Sequence, residues 1–401
     1  MHILIYTLLA ILLLSCSSKK EQALDSAFWS QLDVVAKKEV VGKDTVIVCD
    51  ISKIKKKTNV PLSLLVDDYE FIKLDNSKEE ALISRSITPV ILSENYMGVY
   101  TCGWYRPFKL FTKEGKYLTD IGRIGQGPGE YKDLYYAQMD EPSDRIYLLP
   151  WLANKILVYD FKGNYLHDIP LAHFVPTGQF IVDTQTGRLT VLSMLHRAYS
   201  KQFVWIQDLE GKLIQGISSE EYMPQFTSFD SGIISGLHTD QIDVFHFHLL
   251  DQEEYLYHYD ISTNRLKPVF RLEGMEKDCF VHELPTCFVV AFVHNTGIAN
   301  IDDTDALKII IDKKTLRGCY FDGFRMPSGI LLDQYCLLNR MWNGDFTVHD
   351  FGSHLMTRIE SVDRRNLTKQ QREELDALAE MISEEDDDCS IVIKGRFKGG
   401  K

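Results

Sequence analysis

Along this chain the apolar positions change rhythm three times. Residues 3–14 read ILIYTLLAILLL, a nearly unbroken apolar run that breaks off into SCSSKKEQ. From about residue 60 to residue 359, short runs rich in β-branched and aromatic residues are separated by Gly, Asn or Asp, the pattern of strands and turns. Residues 366–401 shift to a helical period and then back to a strand.

The middle section repeats itself. FKLFTKEGKYL at 108–118 recurs as ILVYDFKGNYL at 156–166 and as VWIQDLEGKLI at 204–214, so that Gly115, Gly163 and Gly211 stand 48 residues apart. Looser copies follow as YHYDISTNRL at 257–266, IIIDKKTLRG at 309–318 and FTVHDFG at 346–352. Each copy predicts a strand, a turn whose Gly or Asn takes a left-handed backbone conformation, and a second strand. Further strands are expected at 145–149, 188–193, 242–249 and 288–294, giving about four per repeat. A period of roughly 45 to 50 residues with four strands is that of a propeller blade. At about 50 residues per blade, positions 60–359 hold six.

In the tail, Thr368-Lys-Gln-Gln371 has the form of a capping box, and Leu375, Leu378, Ala379 and Ile382 fall on one helical face. One amphipathic helix is therefore expected, and SIVIKGRF at 390–397 reads as a last strand. A ring of blades leaves an open sheet edge where its ends meet, so this strand, or the one at 45–51, is expected to pair across the gap.

The leading apolar run is too short to cross a bilayer, which takes roughly twenty residues, and has the length of a signal-peptide core. Leu13-Leu14-Ser15-Cys16 resembles the bacterial lipobox. That likeness implies a signal peptide over residues 1–15 and a lipid on Cys16, which becomes the first residue after cleavage. Two positions depart from the pattern: no Lys or Arg precedes the apolar run, and Leu14 is larger than usual.

Charge narrows the function. A net charge of −13 argues against a nucleic-acid binder, which shows a basic face, and the Lys55 to Lys57 cluster and the acidic run at 384–388 read as solvated surface. Of eight cysteines, Cys16 is taken by lipid and seven remain, an odd number with no CxxC spacing. One or two disulfides are compatible with export, Cys279 and Cys287 being the nearest pair, although small buried apolar roles suit most of them better.

Directly after the first hairpin, DIGRIGQGPGEY at 120–131 resembles the signature of the six-bladed β-propeller lipoproteins of Bacteroides-type bacteria, a group distantly similar to NHL-repeat propellers. The resemblance spans nearly the whole chain. It implies an all-β fold, a six-bladed β-propeller with a C-terminal amphipathic helix and closing strand, and says nothing definite about activity. The expected layout is a signal peptide at 1–15, a lipidated linker at 16–44, the propeller at 45–365, and the helix and closing strand at 366–401. Asp388-Cys389 stands where that group often has Asn-Pro. Lys19-Lys20 replaces the acidic residues that often follow the lipidated cysteine of its surface-exposed members, which favours a periplasm-facing position on the outer membrane.

Candidate chemistry is sparse. The glycines at 122–129 lack the Gly-Lys-Ser/Thr of a P-loop and no helix follows, so a tight loop between blades is the better reading. His246 and His248, two apart on one strand face with Asp243, His238 and His258 nearby in sequence, are the candidate ligands for zinc or calcium in a central channel, as in a metal-dependent hydrolase or lyase. No G-x-S-x-G nucleophile elbow is present. Trp104, Tyr105, Arg106, Trp151, Arg325, Arg340 and Trp342 all fall in turn-like stretches, and Trp, Tyr and Arg dominate recognition surfaces. The leading expectation is a membrane-tethered, non-enzymatic propeller whose loops meet an envelope protein, peptide or glycan.

Overall fold

A computed structural model describes residues 25–83, 89–101, 106–224, 227, 232–234, 241–247, 255–274, 279–292, 308–332, 345–383 and 389–399. The repeated glycines explain how its sheets fit together. Gly115, Gly163 and Gly211 have φ of +91°, +84° and +89°, in the turns that join the third and fourth strands of successive sheets. Each also lies against the outer strand of the sheet before it. A Cβ built on them would stand 2.3 Å from the Lys73 carbonyl oxygen, 2.8 Å from that of Asp120 and 3.0 Å from that of Pro170. In the next repeat Asn264, at φ +47°, takes this place, and its amide donates 3.0 Å to the Gly216 carbonyl of the preceding sheet.

The sheets follow one another along the chain. The 90–121, 134–175 and 178–218 sheets are four-stranded antiparallel meanders. The second strands, Arg145–Pro150, Arg188–Ser193, Ile242–Phe247 and Cys287–Phe292, lie close to their expected bounds. Middle strands such as Gln202–Asp208 are buried on both faces because a neighbouring sheet covers each side. This gives continuous apolar runs rather than strict alternation.

Two sheets gain strands from the N-terminal part. The hairpin Ala36–Val41 and Asp44–Asp50 extends the 232–273 sheet to six strands, Asp44–Asp50 running parallel to Arg265–Glu273. Asp33–Val34 adds a fifth strand to the 279–321 sheet. Residues 16–44, expected to be a linker, therefore contain structure: 25–30 is helical, Trp29 and Leu32 are buried in a shared core, and two strands follow.

The ends meet in one sheet. Ser390–Phe397 lies between Asp345–Phe351 and Val66–Lys73, antiparallel to both. The strand at 44–50 has the different role just given. Helices Gly352–Glu360 and Lys369–Ser383 bury Leu355, Ile359, Leu375, Leu378 and Ile382 against this side of the body. At the start of the second helix the Gln371 side chain accepts from the Thr368 backbone N–H at 2.8 Å and the Gln371 N–H donates to the Thr368 hydroxyl at 3.3 Å, a reciprocal cap.

The fold is an all-β propeller with few helices. Among the described residues seven sheets have three or more strands, so the propeller counts seven blades and not the six expected. The sheet that the period missed joins Val60–Pro61 to Phe324–Arg325 and Leu331–Leu332. Its strands are two residues long and come from both ends of the chain, so no 48-residue repeat records it.

Candidate functional site: a buried carboxylate pair and histidine between two blades

In a four-stranded antiparallel blade, the turns from first to second and from third to fourth strand lie at one end, and the remaining connections at the other. The first end carries the tightest polar cluster. Asp243 on Ile242–Phe247 lies directly opposite His258 on Tyr255–Asp260, which puts both side chains on one face. That face meets the inner strand Cys279–Glu283 of the following blade, whose last residue is Glu283.

His258 Nε2 lies 2.6 Å from Glu283 Oε2 and 3.5 Å from Asp243 Oδ1. The three ligand atoms all fall within 4.8 Å of one another. Lys313, in the next third-to-fourth turn, donates to the other oxygen of Glu283 and, at 3.3 Å, to the Pro285 carbonyl. Asp243 is 2% exposed and Glu283 6% exposed. Neither Asp243 oxygen has a hydrogen-bond partner among the described residues.

The two carboxyls are pushed apart. Burial, and then the charge of Glu283, raise Asp243 well above the usual carboxylate range. Burial also works to raise Glu283, but the His258 hydrogen bond and the Lys313 charge outweigh it and hold this carboxyl below its ordinary value. A protonated Asp243 beside an ionised Glu283 is the arrangement these directions favour.

Sequence reasoning had noted Asp243 and His258 only as neighbours of His246 and His248, and Glu283 and Lys313 not at all. The structure brings Asp243 and His258 together with Glu283 and leaves the His246 and His248 expectation untested. His246 pairs in register with Ile233, and its side chain is outside the described residues, as are His248 and His238. A signal was present: Asp243, His258, Glu283 and Lys313 all border turns of the fourth and fifth repeats, but which turns face each other is a property of the ring.

The opposite end holds the loops read as a recognition face. Arg106 is exposed, and exposed Arg325 donates at 2.9 Å to the Gly329 carbonyl. Trp151 is half-buried and meets Tyr135 edge-on at 5.7 Å. Trp104, Tyr105, Arg340 and Trp342 lie outside the described residues. Beside Trp151 the structure adds residues that sequence reasoning missed. Leu152, 49% exposed, donates its N–H to the Pro176 carbonyl. Phe174 lies 5.5 Å from Tyr199 with the rings tilted by 44°, and Tyr199, 44% exposed, lies 4.8 Å from the ring of His196.

The glycine-rich segment at this end is a closed loop. Arg123–Ile124 pairs in parallel with Glu130–Tyr131, and the Glu130 carboxylate accepts the Gly127 N–H at 2.8 Å. A carboxylate of the chain itself thus occupies the place an anion would take. Tyr131 locks the loop, its hydroxyl donating to the Ile121 carbonyl and accepting from the Phe108 N–H, each at 2.8 Å.

Cys49, Cys287 and Cys319 are free buried thiols, which leaves no Cys279–Cys287 bridge. Burial pushes the thiols of all three up to about 12. A cleft of about 690 Å³ between Glu94, Gln138, Asp140, Glu141 and Asp183 lies at the end of the first-to-second turns. Three of its carboxylates are engaged locally: Asn95 donates to Glu141, Thr184 to Asp140 and Thr186 to Asp183.

No helix among the described residues is long and apolar enough to cross a membrane. No curated protein matches the chain. A Bacteroides fragilis protein described as exported has a similar structure, with a TM-score of 0.57 at 17% identity over 88% of this chain and 99% of that one. A member of the DUF4221 family from Bacteroides vulgatus gives a TM-score of 0.46 at 8% identity, covering 83% of this chain and 97% of the other. The first likeness is one of fold alone, shared over nearly the full length of both chains. The model of DUF4934, a domain of unknown function, matches residues 45–277, more than half of the chain, and this protein therefore belongs to the DUF4934 family.

Proposed function

We propose that this protein is an envelope lipoprotein, held by lipid on Cys16 to the periplasmic side of the outer membrane, whose propeller binds a protein, peptide or glycan partner. The tether rests on the apolar run at 3–14 ending at Leu-Leu-Ser-Cys16, and the export of the Bacteroides fragilis structural neighbour agrees with it. One observation carries the binding reading. Tyr135 with Trp151, and Phe174 with Tyr199 and His196, are two partly exposed aromatic groups that, with Leu152 between them, make a ledge across two adjacent blades at the end of the second-to-third turns. Rigid aromatic side chains on loops fixed by a sheet scaffold are the groups from which binding hot spots are built.

The test is site-specific photocrosslinking in cells. A photoreactive residue at Leu152 or Tyr199 is expected to capture a defined partner, and the same residue at Val40, 75% exposed on the rim hairpin, is expected not to. Joint Trp151→Ala and Tyr199→Ala substitution is expected to weaken that partner's binding at least about tenfold. Equal capture from the ledge and from Val40, or none from the ledge, overturns the reading. For the tether, Cys16→Ser is expected to move the protein from the membrane to the soluble fraction.

A further inference from the structure

We infer that the junction of the 232–273 and 279–321 blades is a binding site for a single divalent transition-metal ion of the zinc class, held by Asp243, His258 and Glu283. This goes beyond the binding ledge, which lies at the other end of the blades, and the two stand or fall separately.

The hydrogen-bond arithmetic of the cluster points to a missing cation. One imidazole nitrogen, His258 Nε2, faces two carboxylates. It carries at most one proton, and at 2.6 Å from Glu283 Oε2 that proton is committed there. Asp243 is then left buried with both oxygens lacking a donor among the described residues, a state that either a proton on Asp243 or a bound cation relieves. If Nε2 is instead the unprotonated nitrogen, it converges with the two carboxyls and at most the Asp243 proton lies between them. A metal ion satisfies all three at once.

The donors also fit by kind and by span. One imidazole nitrogen and two carboxylates, with room for water or substrate as a fourth ligand, is a zinc-type set. Calcium asks for six to eight oxygens. Ligand atoms within 4.8 Å of one another lie close to the span of one zinc coordination shell, about 4.2 Å across. For metal–ligand distances near 2 Å the 2.6 Å pair must open to roughly 3.2 Å, and any wider pair must close toward the same value. Lys313 already holds the outer oxygen of Glu283. Such a hydrogen bond orients a ligating carboxylate and leaves Oε2 for the ion. Because the ligands come from three strands of two blades, bound metal would staple one blade to the next, and its binding energy would add to the stability of the fold.

The experiment uses the full chain in detergent, stripped with a chelator and titrated with zinc chloride against a competing chromophoric chelator, with thermal melting in parallel. One equivalent of zinc is expected to bind and to raise the melting temperature. Cobalt(II) is expected to give the visible absorption of a four- or five-coordinate site. Asp243→Asn, which keeps the side-chain shape, and His258→Gln are each expected to lower zinc affinity about 100-fold or more and to remove the melting shift. Asp243→Asn is expected to melt no lower than the parent without metal; should it fail to fold, His258→Gln decides. A parent protein that takes up no zinc at micromolar concentration overturns the site. So does zinc bound equally by the folded variants, which would mark it as adventitious.

Discussion

Single residues show what the 48-residue spacing is for. Gly163 combines a left-handed φ with a backbone oxygen of the previous blade 2.8 Å from where a Cβ would sit, whereas Gly187, at φ +64°, has nothing within 4 Å. Gly187→Ala is therefore expected to cost only the left-handed penalty, about 1 kcal/mol, and Gly163→Ala about 2 kcal/mol or more because the blades must also separate. Chemical denaturation of the two variants measures the difference. His349 offers a second test. It is buried on Asp345–Phe351, and burial lowers its imidazole from 6.5 to about 4. The folded chain then refuses a proton that the unfolded chain accepts. Its contribution is intact above about pH 6.5 and is lost progressively as the pH falls toward 4, by an amount on the order of 3 kcal/mol. Stability measured between pH 7.5 and 4.5 should fall less steeply for His349→Leu than for the parent. Parallel curves would contradict this assignment.

Elements were legible to the extent that their signal is local. Gly115, Gly163 and Gly211 marked their hairpins because a left-handed turn has a chemical requirement, and Thr368 with Gln371 marked a helix start for the same reason. The 120–131 loop was readable as a tight connection, but not its lock: Tyr131 bridges the Ile121 carbonyl and the Phe108 N–H, groups ten and 23 residues away. Tyr131→Phe should leave both buried groups unpaired and cost about 1 to 3 kcal/mol in denaturant titration. The last sheet is the element on which closure depends. Ile393 is fully buried on Ser390–Phe397, between strands from opposite ends of the chain. Ile393→Asp is expected to destabilise by about 4 kcal/mol or more and to speed hydrogen exchange over residues 66–73. Unchanged exchange in that strand would show that closure does not depend on this pairing. The outermost strand Ala36–Val41 presents Lys37, Lys38 and Glu39, charges that discourage pairing with another molecule.

At the scale of the molecule, a repeat period counts what repeats. The blade assembled from Val60–Pro61, Phe324–Arg325 and Leu331–Leu332 has no periodic signature, which is why six were expected where seven sheets of three or more strands form among the described residues. The Asp243, His258 and Glu283 cluster escaped for a related reason, since its members lie in two repeats and only closure of the ring sets them face to face. Cysteine parity ruled out complete pairing but could not place the thiols. Their burial predicts that Cys49, Cys287 and Cys319 resist alkylation at pH 8 until denaturant is added, which peptide mass spectrometry would read directly. The entry of the chain has a larger consequence. Helix 25–30, strand Asp33–Val34 and the hairpin that follows all join the outer margins of their sheets, and the nine links from Cys16 to Asp25 reach at most about 30 Å. The lipid proposed on Cys16 would therefore hold the propeller by its margin, within that reach of the membrane surface. Held at its margin, the propeller would keep both ends of its blades clear of the anchor, so that a ligand at one end and a neighbour at the other could be engaged by the same molecule at the same time.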